Sequence, residues 1–236
     1  MSLSHTKTDT RTQVSAGLLL ILFLALWSYA LFYVTTESHQ GEVYRILYVH
    51  VPSAFSAFAA SFFLFIFSIM GLKENARAMN LGKSTAEVGL LFTLATLATG
   101  SIWGKPTWGV WWTWDARLTT TFILSLLYCG YLLMWSSMPP SRSRTKVCSV
   151  LGILIFADVP IIYKSVTWWR TLHQPPSILR TSGSSMSSEI LYFLLASSGI
   201  TIFLALWLIW QRSINLSIRD ALDQASIQQL EKQEGN

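Results

Sequence analysis

The residues best suited to chemistry in this 236-residue chain are two histidines and a run of indoles. His50 stands in "YRILYVHVPSAF" and His173 in "WWRTLHQPPS", each beside aromatic residues: Tyr44 and Tyr48, Trp168 and Trp169. Between them, "WGKPTWGVWWTWDARLTT" at residues 103–120 sets five tryptophans into twelve positions and follows them with Asp115 and Arg117. Imidazole is the commonest metal ligand among side chains, and indole offers a broad, flat, apolar face. Together they suit a large planar metallo-ligand. Haem fits, because its iron takes axial imidazoles, its porphyrin stacks on flat apolar side chains, and its propionates need cations. Arg45, Arg117, Arg170 and Arg180 are the cations nearby, and arginine can grip a carboxylate with two parallel hydrogen bonds. Zinc is a poorer fit. Two histidines with no thiolate beside them and one obvious carboxylate make an incomplete tetrahedral set. His5 and His39 lie in polar loop sequence and are given no role.

A plainer reading stands beside this one. A single histidine near a membrane commonly serves structure, and tryptophan concentrates at the headgroup zone, where one end of the ring is apolar and the N–H finds water. Trp27, Trp135, Trp207 and Trp210 are explained that way. Five indoles in twelve positions exceed what anchoring needs.

The elements that must position these groups are membrane helices. Charged residues make up 12% of the chain, against about 25% in an ordinary soluble domain. Charge-free stretches lie at 12–36, 46–72, 88–104, 118–141, 147–157 and 190–211. About 20 apolar residues cross a hydrocarbon layer of ~30 Å. The expected fold is therefore an all-α integral membrane protein, one membrane domain over 1–236 with transmembrane helices near 16–35, 49–71, 86–104, 118–138, 147–163 and 189–210. A soluble core is excluded, since six apolar runs would have no polar face. The first run is longer than the 7–15 residues of a cleavable signal and is expected to be retained.

Lysines and arginines orient the bundle by the positive-inside rule. Eleven fall at the ends and in the second and fourth connections; six, Arg45, Lys105, Arg117, Lys164, Arg170 and Arg180, fall on the other side. Both termini are thus expected in the cytoplasm, and the segment 103–117 outside. The net charge of +5 is connection charge and calls for no nucleic acid. Cys129 and Cys148 lack CxxC spacing, which leaves packing as their role. No glycine-rich phosphate loop, Walker lysine or HExxH is present, so any ATPase working with this chain is another polypeptide. The tail 211–236, with apolar residues at Leu216, Ala221 and Ile227, is expected to form a short surface helix.

Outside, Pro106 is placed to open a helix, since it fixes φ and lacks a donor that a first turn leaves unpaired anyway. Trp108, Trp111, Trp112 and Asp115 then follow the i, i+3, i+4, i+7 stripe of one helical face, with Trp114 at its edge. The expectation is a short amphipathic outer helix presenting a sheet of indoles.

"WGKPTWGVWWTWDARLT" resembles the tryptophan-rich WWD signature of the haem-handling membrane proteins of cytochrome c biogenesis. With "YRILYVHVPSA", "SVTWWRTLHQ" and six helices, the chain is similar to the cytochrome c maturation protein C (CcmC) family. The resemblance implies a binding and transfer protein, not an enzyme. It would hold haem b as transient cargo at the periplasmic face of the bacterial inner membrane and deliver it to a periplasmic haem chaperone. The implied partners are a small single-helix membrane subunit and the membrane and ATPase subunits of an ABC transporter. Carried over by motif, His50 and His173 are the axial ligands. Trp108, Trp111, Trp112, Trp114 and Asp115 form the haem surface, and Arg45 and Arg117 meet the propionates. Asp158 has no assigned place. The competing readings are a bis-histidine cytochrome b and a transporter without haem.

The charge asymmetry predicts that alkaline phosphatase fused after Trp114 is active. Activity of a cytoplasmic reporter at the same position would overturn the orientation.

Overall fold

With no water in the hydrocarbon core to pair with backbone amides, a crossing segment satisfies its N–H and C=O groups only by coiling into a helix. The computed structural model describes residues 10–34, 36, 40–73, 75–174 and 186–234, and among them it shows six α-helices and no β-strand. In order these are α1 (Thr10–Phe32), α2 (Leu47–Leu72), α3 (Ala76–Trp108), α4 (Ala116–Ser137), α5 (Arg142–Trp168) and α6 (Ser188–Glu234). A 3-10 turn, Glu42–Ile46, leads into α2. Five of the helices, α2 to α6, are long and apolar enough to cross a membrane; in α1 the apolar stretch Gly17–Phe32 is shorter. This is a multi-pass membrane protein.

Helices α2, α3, α4 and α5 form a closed ring, each packed on the next and α5 returning to α2. Outside the ring, α6 lies on α2 and α3, while α1 touches α2 and α6 lightly. Ala30 and Val34 are the buried residues near the end of α1, and Leu18, Ile21 and Phe32 face away from the bundle. Short connections make α2 to α5 antiparallel neighbours. The start of α2, the end of α3, the start of α4, the end of α5 and the start of α6 thereby meet at one end of the bundle.

Local chemistry sets the helix ends. Asn75, Asp115 and Ser141 are N-caps whose side chains accept from the backbone N–H of Ala78, Arg117 and Arg144, each satisfying a donor that the first turn leaves free. Inside, buried hydroxyls are absorbed by their own helices: Ser53, Ser56, Ser61 and Thr93 each donate to the carbonyl four residues back. Two glycines set close approaches. A Cβ at Gly89 would strike the ring of Tyr128, whose hydroxyl shares a 2.8 Å hydrogen bond with Ser61 Oγ. A Cβ at Gly152 would strike Ser68 Oγ and press on Leu64, so the α2–α5 contact depends on its absence. At the opposite end from the tryptophans, Arg212 of α6 donates to both oxygens of Glu87 on α3 at 2.5 and 3.0 Å. There the Arg144 guanidinium also lies 4.5 Å from the centre of the Trp135 ring. Cys129 and Cys148 are free thiols, the second buried in the core.

Several boundaries differ from the sequence expectations. The short outer helix does not form. Instead α3 runs on through Pro106 to Trp108 and is stopped by Gly109 in the left-handed region at φ 80°, its N–H bonded to Lys105 O at 3.0 Å. Residues 109–115 are not helical, so Trp108, Trp111, Trp112 and Asp115 share no helical face. The stripe fails because its spacing crosses a chain reversal that glycine permits at no steric cost. The segment after Trp210 is no separate surface helix either, because α6 continues unbroken to Glu234. Pro160 and Asp158 are accommodated within α5.

Gly152→Val is predicted to destabilise the bundle by about 1–3 kcal/mol through overpacking. Gly130→Val, where a Cβ meets nothing within 4 Å, serves as the matched change in helix composition. Thermal unfolding in detergent that moves equally for both would remove the close-approach argument.

Candidate binding site

At the tryptophan end the helix termini enclose a cavity of about 800 Å³, within the range of small-molecule sites. His50, Trp103, Trp108, Arg117, Tyr163 and His173 are among its lining residues, and Phe58 and Leu124 lie deeper. Two histidines 123 positions apart in sequence thus open on one space.

His50 stands on the first turn of α2 and is held by α3. Thr99 Oγ1 donates to Ala95 O at 2.7 Å, so its lone pair is left to accept from His50 Nδ1–H, 3.0 Å away. This leaves Nε2 as the nitrogen with a lone pair. One turn further along α3, Trp103 meets the imidazole edge-on with ring centres 5.7 Å apart, and its indole N–H donates to Gln40 Oε1 at 2.9 Å. Gly100 lies beneath the ring, where a Cβ would sit 3.1 Å from His50 Cε1.

His173 lies beyond α5 in non-helical chain, with its ring 4.9 Å from that of Trp108. Its Nδ1 is 3.3 Å from Asp115 Oδ1. That contact falls short of a hydrogen bond, and Nδ1 is buried with no hydrogen-bond partner among the described residues. Burial, with the Arg117 cation adding to it, pushes the imidazole pKa down to about 4 against the opposing pull of Asp115.

Asp115 joins the two outer segments. Its Oδ1 accepts from Arg117 N–H at 2.9 Å and its Oδ2 from Leu172 N–H at 2.8 Å. Burial alone would raise its pKa. Hydrogen bonds from the Thr171 hydroxyl and from the Leu172 and Arg117 amides outweigh that and hold the carboxyl below its ordinary value. Arg117, on the first turn of α4, points its chemistry at the cavity. Among the described residues no hydrogen bond occupies its guanidinium, which leaves that group available to an anion.

The other candidate residues lie elsewhere. Trp111 and Trp114 are 58% and 75% exposed, Trp112 packs on Phe122 and Trp114, and none of the three lines the cavity. Arg45 turns toward α1, donating to Val34 O at 2.6 Å and pairing with Glu42 at 2.6 Å. Arg170 is exposed, and Arg180, His5 and His39 lie outside the described residues. Asp158 is buried in α5 with Oδ2 unpaired among the described residues, away from the cavity lining. Sequence reasoning missed Thr99, Gly100 and Tyr163, since small and hydroxylated residues recur throughout these helices. The one available signal was Trp103, a helical turn from Thr99. Among the described residues no three His, Cys, Asp or Glu side chains gather as a metal-ion cage.

Comparison with known proteins fits this frame. The family model for heme exporter protein C (CcmC) matches residues 3–228. The chain belongs to the heme exporter protein C family. It is 35% identical to heme exporter protein C of Escherichia coli K12 over 182 residues, covering 75% of this chain and 74% of that one. Its identity with the Haemophilus influenzae protein of the same name is 36% over 184 residues, 78% of this chain and 74% of the relative. A putative cytochrome c biosynthesis ccmC-like mitochondrial protein of Arabidopsis thaliana is 34% identical over 235 residues, 97% of this chain and 87% of the relative. The family match spans every element that lines the cavity.

The depressed pKa of His173 gives a pH prediction for this family member. Below about 6.5 the unfolded imidazole takes a proton that the folded one refuses until about 4, so stability falls as pH drops across that window. Unfolding midpoints measured from pH 7 to 4 are expected to fall less steeply in His173→Phe. Equal slopes would show that the imidazole is not held neutral.

Proposed function

We propose that this chain is a haem-binding platform of cytochrome c biogenesis, which holds haem b as cargo between His50 and His173 and passes it on. The single observation that carries this reading is that both imidazoles line one cavity of about 800 Å³ while their Nδ1 atoms face protein partners. That leaves both Nε2 atoms for iron, the arrangement expected of metal-bound histidine. The haem-exporter relatives support it.

Arg117 is the cavity cation for a propionate, and Trp103 and Trp108 brace the imidazoles edge-on. Bound haem supplies the iron that both imidazoles ligate; this chain supplies orientation and an apolar enclosure, and no bond is made or broken in the cargo. In this reading α1 is a sixth crossing, both termini are cytoplasmic, and the cavity opens at the periplasmic face of the bacterial inner membrane. The recipient is a periplasmic haem chaperone, and a single-helix subunit and ABC transporter membrane and ATPase subunits complete the assembly. The exposed Trp111 and Trp114 stand outside the cavity, where that recipient approaches. A bis-histidine cytochrome b is the weaker alternative. Such proteins commonly pair ligands on facing helices within the bundle, whereas His173 lies in non-helical chain beyond α5.

Purified protein supplied with haem should show a six-coordinate bis-imidazole spectrum. His50→Gly and His173→Gly should each lower retained haem at least about tenfold, roughly 1.4 kcal/mol, and imidazole should restore part of it by filling the vacated position. His5→Ala and His39→Ala should leave it unchanged. Parental spectra in both glycine variants would sink the ligand assignment, and no Soret band in the parent would sink the haem reading itself.

A further inference from the structure

The two histidines differ in what stands behind them. Behind His50 are neutral acceptors only, the Thr96 backbone carbonyl and the Thr99 hydroxyl, whose own proton is committed to Ala95 O. Behind His173 is a carboxylate, with Asp115 Oδ1 at 3.3 Å from Nδ1. An ionised carboxylate only accepts, and two backbone N–H groups fix Asp115 in place from opposite sides. His173 Nδ1 is buried, and among the described residues it has no competing acceptor. Once Nε2 is committed to a metal, the remaining proton must sit on Nδ1, and the carboxylate beside it, 3.3 Å away, is that of Asp115.

We infer that Asp115 is a positioning residue that makes His173 the stronger iron ligand, and that Thr99 leaves His50 the weaker one, the bond that opens first when cargo leaves. This rests on the haem reading above. A carboxylate on the far N–H gives the imidazole partial imidazolate character and raises its basicity toward the metal. A hydroxyl does so far less. Second-shell hydrogen bonding of this kind is one of the protein's means of setting a haem potential. The chain thereby holds one ligand firmly and one loosely, which suits a site that must both retain haem and release it.

The arrangement also separates the two ligands by element. The partners of His50 (Thr96, Thr99, Gly100 and Trp103) all belong to α3. Those of His173 lie where two connections meet: Trp108 on the last turn of α3 and Asp115 at the start of α4. By accepting from Leu172 N–H, Asp115 ties the chain that carries His173 to the start of α4.

The test reads each ligand alone. Full-length His50→Gly loaded with reduced haem keeps only His173 on iron, and His173→Gly keeps only His50. Resonance Raman then gives the iron(II)–histidine stretch of each five-coordinate form. The expected result is a higher frequency in His50→Gly, falling toward the His173→Gly value when Asp115→Asn is added. In the chain with both histidines, Asp115→Asn should make the haem easier to reduce by on the order of tenfold in the iron(III)/iron(II) equilibrium, about 59 mV more positive. A purely structural role for Asp115 would lower haem content without moving the stretch of the haem that remains. Equal stretches in the two histidine variants overturn the ranking while leaving haem binding intact, and this comparison needs no change at Asp115. Absence of a bis-imidazole spectrum in the parent protein overturns the haem reading and this inference with it.

Discussion

A helix start leaves its first N–H groups without partners, and at α4 that need is met by Asp115, whose carboxylate also receives the Leu172 N–H from the chain beyond α5. The rest of the outer end depends on this double acceptance. The segment from Gly109 to Trp114 and the one from Trp169 to His173 are not helical, and irregular backbone near a bilayer survives only where its polar groups find protein or water. One buried carboxylate caps α4 and accepts from the chain beyond α5, tying that chain to the start of α4 beside the cavity that His173 lines. The same hydrogen bonds keep Asp115 ionised against the pull of its burial, so the group that organises the backbone also keeps a negative charge beside the imidazole.

The ring below has a different duty. Many of its hydroxyls bond within their own helices, its glycines let α2, α3, α4 and α5 approach closely, and the Ser61–Tyr128 bond joins α2 to α4 across the interior. The cavity lies at helix ends, where α2 begins, α3 stops and α4 starts and side chains from several elements converge. At the far end the Glu87–Arg212 pair and the Arg144–Trp135 contact lock α3 to α6 and α5 to α4.

Much of this was readable beforehand, for physical reasons that particular residues show. Long charge-free runs can do little else than cross a membrane, so most helices were visible, and His50 and His173 stood out by their aromatic flanks; the structure places both on one cavity. What was not readable were the points where tertiary geometry overrides local pattern. Trp108, Trp111, Trp112 and Asp115 match a helical stripe, but Gly109 turns the chain after the first of them, and the expected sheet of indoles becomes one indole in the cavity and three outside it. Pro106 reads as a helix opener from sequence and sits in a last turn instead. Arg45 looked available to an anion. The carbonyls at the end of α1 claim it, a long-range contact that spacing cannot reveal. Thr99 and Gly100 carry no sequence signal, because their importance comes wholly from the helix that packs opposite them.

The division of the indoles bears on how such a site can both hold and let go. Had all five tryptophans faced one flat ligand, the apolar area alone, at roughly 25 cal/mol per Å², would have favoured permanent retention. With only Trp103 and Trp108 of the five on the cavity, each meeting an imidazole edge-on, these indoles chiefly fix the orientation of the two imidazole rings. Preorganisation of this kind lowers the entropic cost of capture without adding much grip on the cargo itself. His50 is braced by a continuous helix, whereas His173 is braced at a junction of connections. Connections are the parts of a protein that open at least cost. Asp115 links the two outer segments, so movement there would carry His173 with them.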